Sequence, residues 1–121
     1  MNRGQTGAAG EEFAAGYLIR QGYEILERNY RGPHGEIDII ARRGEYLVFV
    51  EVRTRGKGSF LTPAETVDRR KQRRIIATAY HYLEVCPSGL QPRFDLIGVD
   101  SSRLPWRLTH LEGAFDVSAY R

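Results

Sequence analysis

Residues 35–55 read GEIDIIARRGEYLVFVEVRTR, and this stretch decides the fold. Two runs rich in Ile, Val and Phe flank Arg43-Gly44-Glu45-Tyr46 and alternate in the manner of two β-hairpin arms. With Gly44-Glu45 as a two-residue loop, glycine first as a type II′ turn requires, Arg43 faces Tyr46 and Asp38 faces Glu51. A four-residue loop keeps that register, whereas a three-residue loop sets Asp38 against Val50. The first register gathers Ile37 with Val52, Ile39 with Val50 and Ala41 with Val48 on one apolar face suited to a core. The opposite face then pairs Glu36 with Arg53, Asp38 with Glu51 and Ile40 with Phe49.

Two carboxylates directly opposite on a sheet repel each other, and folding gains nothing by placing them there. A cation between them removes the penalty. Hard oxygen donors on neighbouring strands, with backbone carbonyls nearby, suit Mg²⁺ or Mn²⁺ better than zinc, which prefers His and Cys. The plainer alternative is a solvated sheet face on which Arg42 and Arg53 neutralise the pair.

The rest of the chain supplies the context. Its 121 residues make one domain with a real core, 1–121, the first seven residues reading as a flexible arm. Hydrophobic content of 41% and charged content of 27% are those of a folded globular protein. The net charge of +3 is a mild bias towards polyanions, and its excess lies in the middle of the chain. One cysteine, Cys86, excludes an internal disulfide and a Cys-rich zinc site and suits a reducing, cytoplasmic compartment. No run approaches membrane-spanning length, and MNRGQTGAAG lacks an apolar export segment.

Gly4, Gly7 and Gly10 follow nothing strand-like, so they are no phosphate loop. A helix is expected from Ala8 to Gln21, ending at Gly22, with Phe13, Ala14, Tyr17 and Leu18 as its buried stripe and Glu11 at the stripe's edge. Tyr23–Arg31 reads as a strand and Gly32-Pro33-His34-Gly35 as a turn. From Thr54 a basic, glycine-rich loop carries Arg55 and Lys57. Thr62-Pro63-Ala64-Glu65 announces a second helix, to about Glu84, that buries Val67, Ile75, Thr78, Ala79, Tyr82 and Leu83.

On that helix stands RRKQRR, in which Arg69, Arg70, Arg73 and Arg74 are placed for phosphates or for a solvated face. Lys71 lies on the buried stripe, so its ammonium either snorkels to solvent or reaches the carboxylate face. Arg93–Val99 and Trp106–Leu111 complete the strands, Asp95 and Asp100 reading as strand-edge and turn residues. His81 and His110 have no partner at metal-ligand spacing.

The element order, α-β-β-β-α-β-β, carries a Glu on the first helix, an Asp on the second strand and Glu-x-Arg on the third. This resembles the PD-(D/E)xK nucleases of restriction-endonuclease-like fold. Within them the chain looks like the YraN-like family, relatives of archaeal Holliday junction resolvases. Gly10-Glu11, Tyr17-Leu18, Gly22-Tyr23, Ile25-Leu26, Arg28-Asn29, GEIDII, LVFVEVRTR, Lys71 with Arg74, RFDLIGV and His110 carry the match. The resemblance implies an α/β fold, a mixed central sheet of about five strands flanked by helices.

It also implies Mg²⁺- or Mn²⁺-dependent endonuclease chemistry on branched DNA. Asp38, Glu51 and the Val52 carbonyl would hold the metal and Glu11 would support it. A homodimer follows by the same analogy. One departure stands out: the family pattern has Lys where this chain has Arg53, a guanidinium that cannot act as base. Lys71 is the candidate to take over that role, and a nuclease-fold module that binds nucleic acid without cutting it, acting with a partner protein, is the second reading.

Overall fold

The computed structural model describes residues 3–56 and 67–115. Its elements are α1 (Arg3–Arg20), β1 (Glu24–Gly32), β2 (Gly35–Arg43), β3 (Tyr46–Arg55), α2 (Arg69–Val85), β4 (Gln91–Asp100) and β5 (Arg107–Leu111). The five strands form one mixed sheet in chain order, β3 and β4 parallel and every other neighbouring pair antiparallel. A parallel step demands a long crossover, and the segment holding α2 provides it. The α/β order expected from the sequence is the one observed.

The hairpin register is the one that the apolar pattern selects, with Ile39 opposite Val50, Ala41 opposite Val48 and Arg43 opposite Tyr46. Gly44 takes φ +59°, the left-handed value that a II′ turn places at its first central residue. The sheet does not have one apolar and one polar face, however. Ala14, Ala15 and Leu18 of α1 pack on Ile39, Ala41, Val48, Val50, Ile97 and Val99. On the reverse, Ile75, Ile76, Ala79 and Tyr82 of α2 cover Ile40, Leu47, Phe49, Phe94 and Leu96. Burial on both sides explains the nearly unbroken apolar run Leu47–Val50.

Ile37 departs from expectation: it joins the core under α2 and not the side of Ile39. Across from this step, Asn29 adopts φ +53°, an uncommon conformation for a residue with a Cβ. On β1 the switch is the same, since Arg28 meets Glu12 of α1 at 2.8 Å while Tyr30 stacks edge-on against Tyr82 of α2. Alternation is thus broken in both strands at Asn29 and Asp38, and every side chain beyond that point changes face.

Three element boundaries also differ from the sequence reading. Helix α1 begins at Arg3, five residues before Ala8, so residues 3–7 are helical and not an arm. Gly10 lets α1 cross β3 closely, because a Cβ there would collide with the Thr54 side chain. β3 runs on through Thr54 and Arg55, paired with Val99 and Asp100. Helix α2 begins at Arg69, because Asp68 is its N-cap and accepts from Lys71 N at 2.9 Å. The capping signal at Thr62–Glu65 and Lys57 lie outside the described residues. Gly22, at φ +90°, ends α1 as expected.

Candidate metal and phosphate cleft

Strands β2 and β3 stay paired only from the turn to Ile39 and Val50. Beyond that point β2 remains with β1 as far as Gly35, and β3 remains with β4 as far as Arg55. The sheet therefore forks, and a cleft of about 450 Å³ opens in the fork, lined by Glu11, Glu36, Asp38, Glu51, Lys71 and Arg74 among others. Asp38 and Glu51 flank the first step after the last paired residues.

Asp38 fills part of the gap by accepting from Val52 N at 2.8 Å. Glu45 O and Arg55 O accept from Gln91 N and Ser101 N of the β4 side, so odd positions of β3 bond towards β4. The N–H and C=O of an extended residue leave on one side, which aims the Val52 carbonyl into the fork with its N–H. The sheet thus contributes two carboxylates and a carbonyl at one place.

The electrostatics of this pair are unresolved by the protein itself. Burial pushes the Asp38 carboxyl up to about 9, and a hydrogen bond and like-charge repulsion from Glu51 add to it. The two groups are therefore within reach of one another. The Glu51 side chain is only 8% exposed, and Lys71 Nζ lies 3.0 Å from its Oε2. That contact is an ion pair without hydrogen-bond geometry, and Oε2 is a buried oxygen with no hydrogen-bond partner among the described residues. Lys71 thus takes the inward of its two expected positions while half its surface stays in solvent.

Glu11 reaches the same cleft from α1. Burial raises its carboxyl, Glu36 and Glu51 raise it further, and Arg28 and Asn29 oppose them. Asn29, with its amide nitrogen towards the carboxylates, donates to Glu11 Oε1 at 2.9 Å and to Glu36 Oε1 at 3.2 Å. The sequence reading set Asn29 among the residues of the family resemblance but gave it no role in the site; an Asn in the middle of a strand was the signal for one. No group of three acidic, His or Cys side chains among the described residues closes into a metal cage. The donor set is two carboxylates with a carbonyl, Glu11 standing further out.

The basic residues are distributed unevenly. Arg74 lines the cleft beside Lys71, while Arg69, Arg70 and Arg73 are exposed on α2. Arg53 is half-buried on β3 opposite Gly98 of β4, and Arg55 half-buried at the strand's end.

A second polar cluster lies under α1, away from the fork, and the sequence reading did not foresee it. Asp95 is no strand-edge residue: its side chain is fully buried. Arg93 grips it at 3.0 and 2.8 Å, His110 Nε2 stands 2.7 Å from its Oδ2, and Gly113 N donates at 3.0 Å. His110 Nδ1 in turn meets Tyr17 OH at 2.9 Å. Burial alone would raise Asp95, but the bonds from His110, Arg93 and Gly113 outweigh it and hold the carboxyl below its ordinary value. Asp100, expected as a turn residue, is the buried last residue of β4, and its side chain accepts from Ser102 N of the following bend at 3.0 Å. His81 meets Tyr30 OH at 3.0 Å.

Comparison with known proteins places the chain. Residues 10–99 match the model described as uncharacterised protein family UPF0102. A UPF0102 protein of Syntrophotalea carbinolica is 49% identical over 115 residues, 94% of either chain. One of Moorella thermoacetica is 50% identical over 82% of this chain and 83% of its own. One of Carboxydothermus hydrogenoformans is 43% identical over 96% of this chain and 99% of its own. The matched span contains Glu11, Asp38, Glu51 and Lys71, hence the whole cleft, and the chain belongs to the UPF0102 family.

Proposed function

We propose that this chain is a metal-dependent endonuclease of the PD-(D/E)xK, restriction-endonuclease-like kind, acting on branched or otherwise structured DNA. The observation that carries the reading is the Asp38–Glu51 pair in the fork, half-buried at Asp38 and buried at Glu51, whose Oε2 meets the Lys71 ammonium but has no hydrogen bond, while Asp38 is pushed up to about 9. A structural carboxylate pair gains nothing from that state, whereas a pair meant for a cation is relieved by it.

The residues fit a hard divalent ion. Asp38, Glu51 and the Val52 carbonyl would hold Mg²⁺ or Mn²⁺, which keeps several waters and so needs no closed protein cage. When bound, the ion polarises a phosphoryl oxygen and lowers the pKa of water.

The remaining roles belong to side chains. Lys71, 3.0 Å from Glu51 and half in solvent, is placed to orient the attacking water at the rim. Arg74, one helical turn further on the same wall, holds a phosphate by charge. Arg53 remains protonated and acts on the developing phosphorane charge and not as base. Arg69, Arg70 and Arg73 supply non-specific phosphate contacts, as do Arg55, at the end of β3, and Lys57. Recognition by shape follows, since no element among the described residues offers a row of base-reading side chains.

Arg53 favours a second reading, a cytoplasmic nucleic-acid-binding module on a nuclease fold without efficient cleavage. Calorimetric titration of Mg²⁺ and Mn²⁺ into the wild type and into Asp38→Asn/Glu51→Gln tests the metal site. Heat of binding confined to the wild type supports the clamp, and cleavage of four-way and flap DNA then separates enzyme from module. No metal binding with DNA absent and present sinks the endonuclease. Loss of cleavage in Lys71→Ala with metal binding retained assigns the water-orienting role; full activity in that variant removes it. DNA affinity that does not fall with salt eliminates both readings.

A further inference from the structure

At the opposite end of the sheet a second cleft of about 400 Å³ opens beside the hairpin turn, lined by Arg43, Gly44, Glu45, Tyr46 and Arg93. Its wall sets the guanidinium groups of Arg43 and Arg93 against the rings of Tyr23 and Tyr46. Arg93 lies over the Tyr46 ring at 5.1 Å from its centroid and over the Tyr23 ring at 5.9 Å. Arg43 lies over Tyr23 at 5.3 Å. The order is therefore Tyr46, Arg93, Tyr23, Arg43. Inside that series every group is anchored: Arg93 is held by Asp95, donates to Tyr23 OH at 2.6 Å and meets Glu112 at 3.1 Å, while Tyr23 is 4% exposed. The outermost rung differs, because Arg43 is exposed and makes no hydrogen bond or ion pair among the described residues.

We infer that this ladder is a binding site for an unpaired nucleobase, which adds the next rung by stacking on the outer face of Arg43. The charges argue for a planar π surface and against a bare phosphate. Asp95 and Glu112 take up Arg93, and Glu45 stands beside Arg43 in the lining, so no net positive charge remains for an anion. Guanidinium and tyrosine planes accept any base, because every base offers a π face. The site is five residues of β3 away from Glu51, about 17 Å along the strand, and needs no carboxylate of the fork. It rests on the nucleic-acid half of the proposed function but not on cleavage.

Adenosine, AMP and inorganic phosphate, each titrated into the whole ¹⁵N-labelled chain, test it through the backbone amides of Gly44 and Tyr46 and the side-chain Nε–H of Arg43. Adenosine and AMP are expected to shift these signals alike and phosphate to leave them still. Arg43→Ala should weaken adenosine at least about fivefold, the low end of what one stacked base contributes. Arg43→Lys should weaken it as much, because it keeps the charge and loses the plane. Asp38→Asn/Glu51→Gln should bind adenosine as the wild type does, so that failure of the metal cleft and failure of the ladder are separate results. The inference is overturned if phosphate alone reproduces the shifts, if Arg43→Lys binds normally, or if adenosine moves nothing near the turn.

Discussion

Asp38, half-buried, and Asp95, fully buried, are both carboxylates withdrawn from water on one sheet, and the protein treats them in opposite ways. Around Asp95, a bidentate arginine, a histidine and a backbone N–H satisfy both oxygens and lower the carboxyl. Around Asp38 there is one backbone N–H and another acid, and the carboxyl is pushed up. A buried charge with complete partners stabilises a fold, and one left half-partnered is retained for something that arrives from outside. The difference separates the part of the molecule that holds the strands from the part proposed to take a metal ion.

The strongest way to break the comparison is to strip the satisfied side. Asp95→Ala leaves the largely buried Arg93 with only the half-exposed Glu112 as counter-charge and strips His110 of its carboxylate, and chemical denaturation should show a loss of about 3–5 kcal/mol. The pH dependence follows with its sign. Since the folded carboxyl titrates below its unfolded value, Asp95 stabilises above the ordinary carboxylate range and loses that contribution as pH falls through its folded value. The wild type should therefore melt at lower temperature as pH falls towards 2, and Asp95→Asn should show a flatter acid limb.

Close packing supplies the next largest effect. Gly10→Ala forces α1 away from Thr54, and its unfolding should show a loss of about 1–3 kcal/mol, the usual range for overpacking.

Sharpening the comparison means relieving the unsatisfied side. For Asp38 the sign is reversed: a raised folded value costs stability progressively as pH rises above the unfolded value, up to about 9. Asp38→Asn keeps an acceptor for Val52 N and removes the cost of protonating the carboxyl on folding. At pH 7–8 without metal it should melt higher than the wild type, by an amount on the order of 1 kcal/mol, while losing any stabilisation by Mg²⁺.

The smallest effect concerns metal affinity. A cation must displace the Asp38 proton, so calorimetric Mg²⁺ affinity should rise with pH by up to about tenfold per unit and level off near 9. An affinity flat between pH 6 and 9 would remove Asp38 from the ligand set.

Much of the site was legible in the chain because its register is local. The II′ turn at Gly44-Glu45 fixes the register as far as Ile39 and Val50, which brings Asp38 and Glu51 to the first step beyond it, and the stripe of α1 sets Glu11 at its edge. Asn29 and Asp95 were not legible. The first acts through an unusual φ and through carboxylates from α1 and β2. The second depends on residues as distant as His110, and a lone Asp in an apolar strand carries no mark of its partners. The start of α2 was misread because Thr62-Pro63 offers a stronger capping pattern than Asp68, whose cap is visible only once Lys71 N is seen to donate to it.

By itself the sequence determined the element order, the hairpin register and the stop of α1 at Gly22, all consequences of turn chemistry and periodicity within a few residues. Tertiary structure alone decided the rest. β1 and β4 hold β2 and β3 more tightly than these hold each other beyond Ile39 and Val50, so the sheet forks there and not at its edge. The change of faces at Asn29 sends Ile37 under α2, and the packing of α2 on that face brings Lys71 to Glu51. Each is a competition between elements distant in the chain, which no local pattern encodes.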